Sequence, residues 1–303
     1  MNRNKNYPIP MKFLPIYEKL LHPSWVNKLI EGKNPDGHFI KDFKIFEVDN
    51  KGLHNYYQGH IPGAFYFDTN EIEEKPFWNR KSDKDLKQVF EKNGITYDQT
   101  IILYSKNMMA AARAAVILMY AGVNDVRIVN GGYRSWLSEG YKIDKMPHIP
   151  EPVKNFGAEI PAHPKYFTNI DKLKNSMSST ETVLADIRSW QEYIGAVSGY
   201  SYINKKGRIK GAKWGHAGSD AYHLEDFLQK SGKLRHPHEI ADNWAKWGIT
   251  PDKHVIFYCG TGWRASVAFF YAYLMGWKNI SVFDGGWYEW SNDLANQIES
   301  GYP

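Results

Sequence analysis

The chain has 303 residues, with 38 Lys and Arg against 33 Asp and Glu, a formal net charge of +5 and a single cysteine. That length suits two domains rather than one core, and the small basic excess, interleaved with acids, suits anionic small molecules and argues against a nucleic-acid surface. One cysteine excludes an internal disulfide, and without an uncharged apolar stretch of about 18 residues there is no membrane span to expect. The opening MNRNKNYPIPMKF is basic and polar and lacks the apolar core of a secretory signal. With the lone thiol, this predicts a cytoplasmic protein.

In chain order, roughly the first 25 residues read as a helical lead-in. IFEVD (Ile45–Asp49) then reads as a strand, followed by GHIPGA (Gly59–Ala64) and FYFD, which ends at Asp68. IILY (Ile101–Tyr104) is a short continuous apolar run, as expected of a parallel strand covered on both faces. An Ala-rich helix follows and stops at Gly122. VRIV returns as a strand, and Gly131-Gly132 turn the chain into a helix bearing Trp136. The proline-rich stretch KMPHIPEPVKNFGAEIPAHPKY (Lys145–Tyr166) reads as the boundary, because its prolines can neither donate to a ladder nor sit easily in a helix.

The same sequence of elements then recurs. LADIR (Leu184–Arg188) meets IFEVD, GRIKGA (Gly207–Ala212) meets GHIPGA, and VIFYCGTGW onward meets IILYSKNMM onward without a gap, through Tyr258, Gly276, Gly285-Gly286 and Trp290. The second copy has longer connections, including the polar YSYINKKG. Strands alternating with helices predict an α/β fold of two tandem doubly wound domains, each a small, mainly parallel sheet flanked by helices. The expected boundaries are 1–150, a linker at 151–165, and 166–303.

Cys259 closes the second apolar strand and opens the loop Gly260-Thr261-Gly262-Trp263-Arg264 into the next helix. In open parallel sheets ligands sit outside the carboxyl ends of the strands. There, loop and helix-start amides favour a thiolate, the two glycines let those amides converge, and Arg264 adds a full positive charge. A thiolate so held is a nucleophile. A small buried hydrophobe at a strand end would not need such a loop.

Cys-x-x-Gly-x-Arg between strand and helix, with GHIPGA, ADIRS and DGG before an aromatic, resembles the rhodanese sulfurtransferases, in tandem, over roughly residues 30–300. The resemblance implies that Cys259 takes a sulfane sulfur from a small anionic donor, holds it as a persulfide and passes it to cyanide, a thiol or a protein thiol. No metal or organic cofactor is implied. The amides of Gly260 through Arg264 would surround the persulfide, and Arg188 would hold the anionic donor. Ser105 stands at the cysteine position of the first copy and Asp49 at that of Arg188, so the first domain is expected to be a non-catalytic scaffold.

The donor is left open between thiosulfate and 3-mercaptopyruvate. Thr261 and Asp68 lean toward the second, and Trp263-Arg264 depart from both branches. His216 is expected in a structural role, the eleven histidines show no metal spacing, and His236–His238 reads as a polar turn by a helix start. A cysteine phosphatase or arsenate reductase is the alternative enzyme, although such loops of the related fold carry five residues between cysteine and arginine and this one has four. A non-enzymatic persulfide carrier is the alternative without turnover.

Overall fold

The computed structural model describes residues 14–35, 40 and 42–303. The chain divides into two compact units. The first is built from residues up to Glu73, Arg80–Pro164 and Ser231–Leu234, and the second from Glu74–Asn79, Lys165–Lys230 and Arg235–Pro303.

In the first unit, β1 (Leu20–Leu21) leads into α1 (Pro23–Ile30). Next come β2 (Phe43–Asp49), α2 (His54–Gln58) and β3 (Phe65–Asp68). The two-residue strands β4 (Glu73–Glu74) and β5 (Asn79–Arg80) precede α3 (Asp83–Lys92), β6 (Thr100–Tyr104), α4 (Met108–Ala121), β7 (Asp125–Val129) and α5 (Gly132–Ser138). Its main sheet runs β1-β7-β6-β2-β3, every pair parallel. The predicted helical lead-in is corrected here. Residues 1–13 lie outside the described residues, and Leu20–Leu21 form an edge strand that completes the sheet beside Ile128 and Val129.

The second unit repeats this order. β8 (Phe167–Thr168), α6 (Ile170–Ser176), β9 (Thr182–Asp186), α7 (Trp190–Tyr193), β10 (Arg208–Ile209) and β11 (Lys213–Trp214) are followed by α8 (Pro237–Ala245). Then come β12 (His254–Tyr258), α9 (Trp263–Leu274), β13 (Ile280–Phe283), α10 (Gly286–Asn292) and β14 (Ile298–Glu299). The sheet is again all parallel, β11-β9-β12-β13-β8, with β12 in the middle. His236 caps α8, accepting the His238 amide, so the HPH segment does sit at a helix start. No helix among the described residues is long and apolar enough to cross a membrane.

The two cores are built from matching side chains. Trp136, Tyr104 and Ile102 fill the first; Trp290, Tyr258 and Ile256 fill the second. Each tryptophan spends its indole N–H on a nearby carbonyl, Trp136 on Lys142 at 2.8 Å and Trp290 on Gln297 at 3.1 Å. Truncating either to alanine is expected to cost about 3–5 kcal/mol.

The segment predicted as a linker lies along the first unit up to Pro164. Val153 donates to the Glu91 carbonyl at 2.8 Å, the Phe156 carbonyl accepts Tyr97 at 3.0 Å, and Phe156 is fully buried against Phe90. Prolines weaken a segment's claim on a ladder, but the residues between them still carry donors and an aromatic to dock.

Candidate active site

The central strand β12 delivers Cys259 to the carboxyl edge of the second sheet, where Tyr258 lies opposite Asp186 of β9. The Cys259 carbonyl accepts the Trp287 amide at 2.7 Å, and the Gly260 carbonyl accepts Tyr288 at 3.0 Å. The start of α10 therefore grips the loop from one side. A trans peptide points its N–H opposite its C=O, so the amides of Gly260 and Thr261 face away from α10. Neither of them donates to a main-chain carbonyl among the described residues. The grip needs Gly286, which has φ +57°, because a Cβ there would stand 2.5 Å from the Cys259 carbonyl oxygen.

Gly262 caps α9, and its carbonyl takes both the amide and the hydroxyl of Ser266, at 2.9 and 2.8 Å. Gly260 is glycine for a different reason. A Cβ there would meet the Tyr200 ring at 2.2 Å, so that ring lies directly on the loop backbone.

Cys259 is fully buried and Thr261 nearly so, while Trp263 opens α9 partly exposed. Arg264 is fully buried in a two-pronged pair with Glu192, Nη1 to Oε2 and Nη2 to Oε1, both 2.8 Å. The full positive charge expected of it is therefore paired with the Glu192 carboxylate. Burial pushes the Glu192 carboxyl up, yet Arg264 outweighs it and holds the group at about 2. The guanidinium also faces the Tyr200 ring at 5.7 Å and responds to charge at Cys259. A cavity of about 340 Å³ lies at the Glu192 end, lined by Ser189, Tyr200 and Asp220 among others; Cys259 is not in its lining.

Arg188 sits just past β9, where the sequence puts it, with Nε and Nη2 engaged and Nη1 buried without a hydrogen-bond partner among the described residues. The side chain is fully buried, with Nε and Nη2 on Asp186 at 2.8 and 2.7 Å and Nη2 also on the Gly207 carbonyl at 2.7 Å. The ring of Trp287 covers it at 4.9 Å. Asp186 in turn accepts the Tyr258 hydroxyl at 2.5 Å, and that hydroxyl accepts the Ile209 amide at 3.3 Å. Arg188 therefore braces, through Asp186, the Tyr258 side chain next to Cys259.

Sequence reasoning missed an aromatic wall. Tyr200 and Tyr202 stack at 5.2 Å, Tyr222 meets Tyr200 edge-on at 5.6 Å, and Tyr288 meets Tyr202 at 5.4 Å. Burial pushes the Tyr200 and Tyr202 phenols up, and charge at Cys259 pushes the same way; Tyr202 stands at about 12. Both are hydroxyl donors at neutral pH. YSYINKKG read as a polar connection because it has no periodicity; two tyrosines in such a stretch were the available signal.

Asp68 and His216 are engaged locally. Asp68 accepts the Asn70 amide at 2.9 Å, and His216 stacks on Trp214 at 3.7 Å with Asp226 at 3.8 Å. In the first unit the loop frame is retained without the thiol. The Ser105 carbonyl accepts Tyr133 at 3.2 Å, just as that of Cys259 accepts Trp287. The Ser105 hydroxyl, however, donates to the Asn107 carbonyl and accepts the Ala111 amide at 3.3 Å.

Comparison with known proteins agrees with this duplicated architecture. The rhodanese-like domain family matches residues 22–139 and again 169–293. Thiosulfate sulfurtransferase YnjE of Escherichia coli (strain K12) is 46% identical over 297 residues, covering 97% of this chain and 68% of that protein. The sulfur carrier protein TtuD of Thermus thermophilus is 28% identical, covering 94% of this chain and 97% of that protein. Among solved structures, EanB in complex with hercynine superposes with a TM-score of 0.94 at 45% identity, covering 97% of this chain and 72% of that one.

Proposed function

The chain belongs to the rhodanese-like family of sulfurtransferases, and on that premise we propose that Cys259 carries sulfur as a persulfide between a small anionic donor and a nucleophilic acceptor. The observation that carries this reading is the α10 grip on the Cys259 and Gly260 carbonyls, which turns the following amides the other way, free of main-chain acceptors. Such preorganised dipoles stabilise a diffuse anion on sulfur without reorganisation.

With thiosulfate, the Cys259 thiolate attacks the outer sulfur. The sulfur–sulfur bond to the sulfonate breaks, and sulfite leaves with the electron pair. With 3-mercaptopyruvate, attack on the thiol sulfur breaks the carbon–sulfur bond, and the pyruvate enolate takes a proton. In the second half-reaction cyanide or a thiolate attacks the terminal sulfur, and the Cys259 thiolate leaves. The amides of Gly260 through Arg264 hold the persulfide, with Thr261 and the Tyr202 phenol as further donors; the Tyr200 hydroxyl is spent on the Ala221 carbonyl at 3.3 Å, and its ring backs the loop. Arg188 acts through Asp186 and Tyr258 as a positioning residue.

Incubation with either donor is expected to add the mass of one sulfur to the protein. Cyanide should remove it, and Cys259→Ser should never acquire it. A native protein left unmodified by both donors would overturn the reading. Turnover against single loading separates an enzyme from a carrier of the kind TtuD is named for.

A second acceptor reading rests on the aromatic wall. Tyr200, Tyr202, Tyr222 and Tyr288 suit a planar or cationic acceptor. An EanB variant, similar over 97% of this chain, is found with hercynine. Offering hercynine, cyanide and a thiol to the preloaded persulfide, and comparing kcat/KM, decides between the acceptors.

A further inference from the structure

We propose that His60, Asp144 and His148, in the first unit, form a binding site for one divalent first-row transition-metal ion, with zinc the best fit. One ligand atom from each of the three lies within 4.8 Å of the others. Sequence spacing hides the site, because His60 stands in GHIPGA and the other two residues follow the last helix of the unit.

His60 is held as a metal-ligating imidazole is held. It is fully buried, its ring stacks on Tyr56 at 3.8 Å, and its Nδ1 donates to the Tyr56 carbonyl at 2.9 Å. That hydrogen bond fixes the tautomer and leaves the lone pair on Nε2. Nε2 is buried and makes no hydrogen bond of good geometry among the described residues, the Met146 carbonyl acting on the ring only weakly. A buried imidazole nitrogen without a good partner is costly unless something occupies its lone pair.

Asp144 is oriented just as firmly. Its main chain exchanges both hydrogen bonds with His60, each at 2.9 Å. Its Oδ1 accepts the Lys145 and Met146 amides at 2.7 and 2.9 Å, which leaves Oδ2 to act as a single ligand atom. His148 is anchored by its own amide, donated to the Tyr56 hydroxyl at 3.1 Å, and its Nε2 lies 2.7 Å from Asp144 Oδ2. On metal entry that hydrogen bond breaks, the neutral His148 ring carries its proton on Nδ1 instead of Nε2, and Nε2 and Oδ2 both turn onto the ion. Two imidazoles and one carboxylate at about 2.0–2.2 Å are a zinc donor set with a fourth position left for water. His148 and Asp144 are part-exposed, which gives the ion a way in.

The second unit supplies an internal comparison. Arg208 of GRIKGA takes the place of His60. It lies over Tyr193 at 4.6 Å, donates to the Tyr193 carbonyl at 3.3 Å and pairs with Glu299 at 3.5 Å, across the two-strand ladder β10–β14. There the chain provides its own cation between the same elements. In the first unit the place is taken by two imidazoles and a carboxylate, a set that binds a cation instead of being one.

The test uses the full chain after chelator treatment. Zinc titration by calorimetry should give one site, and the thermal midpoint should rise with zinc, as it does for any ligand that binds the native state. Cobalt in place of zinc should give the visible bands of a four-coordinate site. His148→Ala, at a part-exposed position, should weaken zinc binding by at least about 10–100-fold, with thermal unfolding of the metal-free variant as the control for folding. Asp144→Asn should do the same, and Cys259→Ser should leave it unchanged. The proposal fails if no binding is seen at millimolar zinc, if His148→Ala binds as well as the native chain, or if Cys259→Ser removes the site.

Discussion

Arg264 and Glu192 close on each other through two parallel 2.8 Å contacts in a place with no solvent access. A pair of this kind is costly to break from one side, because the remaining charge stays buried and unanswered. Glu192→Ala is therefore expected to lower stability by about 3–5 kcal/mol. Urea denaturation at neutral pH measures it, and a loss under 1 kcal/mol would mean that the pair is solvated.

The same pair fixes a pH dependence. Glu192 titrates at about 2 in the folded chain against an ordinary 4.5, so its contribution is complete above 4.5. It fades as pH falls toward 2, because protonation removes the partner of Arg264. Glu192→Gln should be less stable than the native chain at neutral pH and should lose less between pH 5 and 2. Parallel curves for the two proteins over that range would contradict the assignment.

Gly260→Ala should cut kcat while the fold survives, since the added methyl displaces the Tyr200 ring from the loop backbone. Tyr200→Ala in the same chain should restore part of the loss, with a coupling of about 0.5–3 kcal/mol. Additive effects in the double-mutant cycle would show that the two residues do not meet.

Arg188→Lys separates bracing from donor binding. A lysine cannot reproduce the fork on Asp186, so kcat should fall with little change in KM for either donor. A rise in donor KM of tenfold or more at unchanged kcat would put the guanidinium on the donor itself.

Gly286→Ala and Gly132→Ala remove equivalent grips, a Cβ at either meeting the carbonyl of Cys259 or Ser105. Both should destabilise the protein. Rate per folded molecule should fall for Gly286→Ala and hold for Gly132→Ala, as measured by active-site titration.

The duplicated α/β order was legible because the central strands are continuous apolar runs and the helix breaks fall at matching glycines. The loop after Cys259 was legible as a candidate site because a thiol, two glycines and an arginine follow one another at a strand end. Ion pairing was not. Asp186 stands two residues before Arg188, but nothing in the sequence says that it takes the guanidinium fork, and Glu192 and Arg264 lie on different helices 72 residues apart and meet only through the fold. Leu20–Leu21 were too short to carry a strand period. Tyr200 and Tyr202 owe their place to a connection without periodicity, and His60 and His148 meet through a single isolated bridge between His60 and Asp144.

Since the half without a thiol holds Ser105 by the same amide-to-carbonyl clasp, that clasp belongs to the architecture of the sheet edge and not to turnover. In a cell, lesions there and at Cys259 would part ways. Damage at Gly132 would reach the proteases and be seen as scarcity. Cys259→Ser would accumulate at normal levels, inert on the proposed persulfide reading, and able to occupy any partner that recognises the folded surface.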